Sequence, residues 1–135
     1  MFLFDTYVAP SAIHGLGVFT REAIPRGRRV WEYTPGIDHA HTAAEFERLP
    51  PRAQRFLKRH GFHDTRTGYY VLGGDFDLFS NHSADPRHVN LVADGSDPNP
   101  ISAALIASRD IPAGEELLAD YREWDRYADE KLTRL

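Results

Sequence analysis

Cysteine is absent from this chain. Disulfides and thiolate zinc sites are therefore excluded, and the composition fits a reducing compartment. No stretch approaches the ~20 apolar residues of a membrane-spanning helix. The opening "MFLFDTYVAP" lacks the basic start and long apolar run of a secretory signal. Positive charge is not in excess: 16 Lys and Arg against 20 Asp and Glu leave a net charge of −4, which argues against generic nucleic-acid binding. The expectation from these absences is a cytoplasmic protein with no membrane association.

What is present suffices for a core. An apolar fraction of 41% excludes disorder, and 135 residues make one domain, 1–135. The chain reads as many short strands with few helices inserted. Strands are expected over 2–8, 28–33, 69–72, 76–79, 88–94 and 101–108. Thr42 and Glu45 have capping-box spacing and open a short helix that Pro50-Pro51 ends. Pro51 then serves as the first residue of a second helix closed by Gly61, giving a helical insert over about 42–60. A C-terminal helix is expected over about 122–134. "REAIPRG" and "SRDIPAG" echo one another as two similar turns leading into strands, without continuing periodicity. The fold class expected is mainly β, unlike the regular strand–helix alternation of a doubly wound sheet.

Several local patterns are weak alone. "GLG" at 15–17 lacks the third glycine of a dinucleotide fingerprint, since Thr20 stands there, and it reads first as a tight turn. A glycine pair also lets backbone approach a ligand. His39 and His41, expected in a loop, and His60 and His63 do not reach the ligand number of a zinc site and read as solvated, so no metal is assigned. Arg48, Arg52, Arg55 and Arg59 recur at helical spacing on one face, either as a solvated surface or as a dock for an acidic partner or nucleic acid, while Phe56 and Leu57 can pack inward. Ser83, His82 and Asp85 are adjacent in sequence without a nucleophile elbow, which discounts a hydrolase triad. In "FSNHS", the pair Asn81-His82 sits where the chain enters a core, and buried polar groups there need partners.

Taken together, "GLGVFTREAIPRG", "FSNHS" and "RDIPAGEELLADY", in that order and at domain-scale spacing, resemble the SET domain of S-adenosylmethionine-dependent protein-lysine methyltransferases, over roughly residues 10–125. The resemblance implies a β-clip-like fold of small sheets with a knot-like crossing of the last strand. It implies that Gly15, Leu16 and Gly17 approach the cofactor through backbone, and that Asn81 and His82 contact it and brace the crossing strand. Tyr121 matches the catalytic Tyr facing the methyl-transfer site. Tyr33, in "EYTPG", resembles a Tyr near the substrate-lysine channel, although Gly36 comes one residue late. Tyr70, with Tyr69 and Phe79, could wall that channel, though core packing explains them equally. Ala119 stands where many members carry Phe or Tyr that restricts product methylation, which implies multiple methylation.

The pattern also departs from the family. Leu78, Ala84 and Arg87 replace the usual Arg, Cys and Asn, and "PRHVN" stands where Pro-Asn is expected. The cysteine-rich flanking modules are absent, so residues 122–135, with Trp124 and Tyr127 as candidates, or a second subunit in a homodimer, would complete the substrate channel. The expected function is methyl transfer from S-adenosylmethionine to a lysine of a protein. The alternatives are a SET-fold binding module without catalysis, and an adaptor for nucleic acid or an acidic partner acting through the Arg52–Arg59 helix.

Overall fold

A computed structural model describes residues 1–133. Residues 134–135, the end of the expected C-terminal segment, lie outside the described residues. The elements run β1 (Thr6–Pro10), β2 (Leu16–Thr20), β3 (Arg29–Trp31), β4 (His39–His41), α1 (Ala43–Glu47), α2 (Pro51–His60), β5 (Phe62–His63), β6 (Tyr70–Leu72), β7 (Asn81–His82), β8 (Leu91–Ala93), β9 (Leu105–Ala107), β10 (Leu118–Ala119) and α3 (Ala128–Leu132). They form a β1–β2 hairpin, a five-stranded sheet in the order β3-β9-β8-β10-β7, and a three-stranded sheet in the order β4-β6-β5. No helix among the described residues is long and apolar enough to cross a membrane.

The mainly β architecture matches the expectation, and so do the helix signals. Thr42 and Glu45 form the capping box, and Pro51 is the first residue of α2. Gly61 ends α2, where its N–H donates to Leu57 O. A side chain at Gly61 would overlap the Val71 carbonyl, so glycine lets α2 lie close on β6.

The two echoing turns meet in space. Ile24 and Ile111 exchange both backbone hydrogen bonds at 2.8 Å, and the two side chains are fully buried. Gly27 and Gly114 close the turns at φ +81° and +87°, values that favour glycine. Around this pair the core gathers Val18, Val30, Trp31, Val71, Leu91 and Leu117. Each such side chain, fully buried, contributes about 1.5–3 kcal/mol. A second cluster of Phe46, Leu57 and Tyr70 fixes the helical insert on the three-stranded sheet.

Four expectations need correction. Residues 76–79 form a 3-10 turn instead of a strand, because the Asp75 carboxylate caps it by accepting from the Asp77 N–H at 3.1 Å. His39 and His41 belong to β4, paired with β6, and not to a loop. The C-terminal helix starts at Ala128, not near 122: residues 121–123 make one 3-10 turn. Beyond it the chain is drawn out by pairing with residues 63–65, with Thr65 N–H donating to Trp124 O and Arg126 N–H to His63 O. Leu57 packs inward as expected, but Phe56 is 48% exposed, lying against the His60 ring at 4.7 Å.

Candidate active site

The short strand β7 brings the polar cluster beside the closing strand. Asn81 and His82 pair in parallel with Leu118 and Ala119 of β10, which itself runs between β7 and β8. The Asn81 amide donates to His14 O at 3.0 Å, to Leu16 O at 2.8 Å and to Glu116 Oε1 at 2.9 Å. One side chain thus ties the Gly15–Gly17 turn, β7 and the approach to β10 together. Glu116 completes the knot of contacts by accepting from Ser11 Oγ at 2.9 Å. Its carboxylate lies so close to the backbone of β2 that a methyl at Gly17 would overlap Oε1. Glycine at 17 is therefore required by Glu116, while Gly15 makes the turn at φ +50° with open space beside it.

His82 acts on Tyr121. Its Nδ1 accepts the Tyr121 N–H at 3.1 Å, which puts the proton of the neutral ring on Nε2. Burial lowers the His82 pKa, Asp120 opposes that, and Arg122 adds to it, with the net direction downward. A neutral ring is consistent with Nδ1 as acceptor. The Tyr121 hydroxyl donates to the Ser80 carbonyl. Burial, then the nearby carboxylates of Asp77, Asp125 and Glu116, push this phenol far above its ordinary value. Tyr121 is a fixed hydrogen-bond donor at neutral pH, not a base. Behind it, Ser80 Oγ donates to Asp77 Oδ1 at 3.1 Å, and burial with neighbouring Asp75 pushes the Asp77 carboxyl up to about 6.

These groups open on a cavity of about 730 Å³, whose wall includes Leu16, Trp31, Asn81, His82, Tyr121 and Trp124. That volume is ordinary for a small-molecule or cofactor site. Gly15 and Tyr127 also reach it. The sequence-predicted residues Gly15, Leu16, Asn81, His82, Tyr121 and Trp124 are thus brought together. Gly17, Tyr33, Tyr70 and Ala119 are not part of this wall. Gly17 faces Glu116 instead. Tyr33 packs partly buried against the main core, where burial and Asp38 raise its pKa. Tyr70 is 7% exposed, stacked on Phe46 at 3.8 Å, its hydroxyl 3.4 Å from that of Tyr127 and pushed up to about 12 by burial first and that contact second. Ala119 is 4% exposed, paired with His82 on one side and Leu91 on the other. No Ser-His-Asp arrangement forms, since His82 turns to Tyr121 and Asp85 pairs with Arg87. No group of three or more His, Asp or Glu side chains is placed to hold a metal among the described residues.

Two functional supports escaped the sequence. Glu116 was visible only as part of "GEEL", with nothing local to say that its carboxylate reaches β2. Asn90, at the end of the irregular "PRHVN", is fully buried. It donates to Glu115 Oε1 at 3.0 Å and Glu116 O at 2.7 Å, and accepts from Leu118 N–H at 2.8 Å. It braces β10 from the approach to β8.

A turn clamped by an asparagine, a histidine orienting a half-buried tyrosine, and one cavity reached by all three describe a ligand-binding domain with a phenol on the pocket wall. The SET domain model matches residues 15–122, and the chain belongs to that family. It is 29% identical over 118 residues to histone-lysine N-methyltransferase 2D of Homo sapiens and of Mus musculus, covering 87% of this chain. The chain spans only 2% of the length of these relatives. Among solved structures, the Chaetomium thermophilum Polycomb Repressive Complex 2 bound to GSK126 matches with TM-score 0.67 at 24% identity, over 97% of this chain and 17% of that one. KRYPTONITE in complex with mCHG DNA and SAH matches with TM-score 0.60 at 23% identity, over 90% and 24%. At these identities the structural likeness speaks for the fold.

The family uses S-adenosylmethionine, and the residues present fit it. The cavity has the right scale, and its apolar wall includes the half-exposed Leu16 and Phe79. The indole N–H of Trp31, a wall residue, has no acceptor among the described residues, a vacancy that buried donors seldom keep.

Proposed function

We propose that this domain is a protein-lysine N-methyltransferase that uses S-adenosylmethionine. The observation that carries the reading is the meeting of the Gly15–Leu16 turn, Asn81-His82 and the Tyr121 phenol on one cavity. The bound cofactor would supply a methyl already activated by its sulfonium. Leu16, Asn81 and His82 would hold it, with the Asn81 clamp keeping the turn in place. Tyr121 and Trp124, in tilted ring contact at 6.3 Å centroid separation, would together border the position for the acceptor side chain.

The chain's task is alignment and delivery of a neutral amine. Carrying a lysine neutral at pH 7 costs about 4–5 kcal/mol, which an apolar channel and a nearby cation reduce. Orienting the reactants contributes ~7–11 kcal/mol. Tyr121 gives a fixed hydroxyl whose proton stays in place, so it directs and polarises; proton loss from the amine falls to solvent. Trp124 and Tyr127, both on the cavity wall, would complete the acceptor channel.

The test is transfer of labelled methyl from S-adenosylmethionine into a lysate, with Tyr121→Phe in parallel and mass spectrometry of the acceptor. Incorporation should fall by about 10²–10³ in the variant while cofactor binding persists. Cofactor binding without incorporation by the unaltered protein would leave the non-catalytic module as the better account.

A further inference from the structure

The helix α2 (Pro51–His60) forms one side of the cavity, and that side is cationic: Arg55, Lys58 and Arg59 all reach it. Arg55 and Arg59 make no ion pair or hydrogen bond among the described residues, and Lys58 meets only aromatic faces, 4.8 Å from the Tyr127 ring and 5.7 Å from that of Phe46. The carboxylates of the same cavity are engaged. Asp64 accepts from the Arg66 and Thr67 N–H groups at 2.8 and 2.9 Å, Asp77 from Ser80, and Asp125 pairs with Lys131; Glu130 is not free either. The cavity lining as a whole balances Arg55, Lys58, Arg59 and Lys131 against Asp64, Asp77, Asp125 and Glu130, but the cations are grouped on α2, where Arg55 and Arg59 have no carboxylate partner among the described residues.

Resting on the methyltransferase reading, we propose that α2 selects the substrate: the acceptor lysine lies in an acidic segment, with Asp or Glu beside it, whose carboxylates dock on Arg55 and Arg59. The guanidinium fork suits carboxylates in pairs. A lysine among arginines, as in a basic tail, would meet like charge along this wall, and such juxtaposition discriminates between partners more than it adds affinity. An acidic peptide is favoured over nucleic acid because the overall charge is negative and the cationic groups border the reacting cavity instead of forming a separate stripe.

The experiment uses the full chain, S-adenosylmethionine, and two matched peptides carrying one lysine flanked by Glu or by Arg. The Glu-flanked peptide should be methylated with a kcat/KM at least about tenfold higher at low salt, the gap shrinking as salt screens it. Arg55→Glu with Arg59→Glu should reverse the order while calorimetric S-adenosylmethionine affinity stays unchanged. Equal use of the peptides, or preference for Arg, overturns the substrate assignment and leaves methyl transfer standing. Absence of transfer to either sinks the methyltransferase reading itself. Fluorescence anisotropy of the same peptides then decides α2 alone, tighter binding of the Glu peptide upholding its acidic preference and equal binding ending it. Loss of cofactor affinity in the double variant would assign the arginines to the cofactor's carboxylate, and tighter binding of oligo(dT) than of the Glu peptide would assign them to nucleic acid. Either result overturns the proposal.

Discussion

Gly17 offers a sharp test of how the site is held. An added methyl there would sit 2.7 Å from Glu116 Cδ and overlap its Oε1. The carboxylate must swing away and so lose its bonds from Asn81 Nδ2 and Ser11 Oγ, each 2.9 Å. Hydrogen bonds to charged groups contribute about 1.5–3 kcal/mol each, and partial exposure puts these at the low end, so Gly17→Ala should cost about 3 kcal/mol. For a domain of this size that lowers Tm by roughly 10 °C. Glu116→Ala removes the same two bonds and the overlapping carboxylate, leaving Ser11 Cβ at 3.1 Å as a contact that a shift of a few tenths of an ångström relieves. Guanidinium unfolding followed by tryptophan fluorescence would measure both single variants and the pair. Gly17→Ala/Glu116→Ala should be no less stable than Glu116→Ala alone, a coupling of about 3 kcal/mol. Additive losses would refute the claim that Glu116 is what requires glycine at 17.

Three further outcomes are expected from other contacts. Asp77 titrates near 6 when folded against an ordinary 3.8, so the folded chain holds the extra proton between those values. Its contribution to stability therefore falls as pH rises through that window, by up to about 3 kcal/mol; Asp77→Asn should flatten the stability–pH curve there and raise stability at pH 7.5. Lys131→Met leaves Asp125, whose side chain is 1% exposed, without its cation. The N–H groups of His63 and Tyr127 still serve its Oδ1, so a loss of about 3 kcal/mol is expected, with faster hydrogen exchange in α3. Asn90→Ala strips the Leu118 N–H of its buried acceptor and should cost about 2–4 kcal/mol in denaturant unfolding, with weaker S-adenosylmethionine binding in calorimetry because β10 carries Tyr121 at its end.

The local rules read off the chain were obeyed wherever local chemistry decides. The capping box at Thr42, Pro51 at the head of α2 and the Ile-Pro-x-Gly turns each involve residues within a few positions of one another, and each formed as expected. Residues 76–79 were misread because their apolar content suggests a strand, while the Asp75 cap, also local but easily overlooked, favours a tight turn. The C-terminal helix was overlong because its first half is claimed by residues 63–65, far away in sequence.

By itself, then, the sequence determined the class: a cysteine-free β-rich domain whose three ordered motifs carry Gly15–Gly17, Asn81-His82 and Tyr121. Only the tertiary structure decided which of its aromatics face a ligand and which fill the core, putting Trp124 on the cavity and Tyr70 against Phe46. It alone set Glu116 against Gly17, Asn90 against β10 and the arginines of α2 along the cavity. The physical reason is that a side chain's type fixes what it can bond, whereas burial and partners across tens of residues depend on where the strands cross.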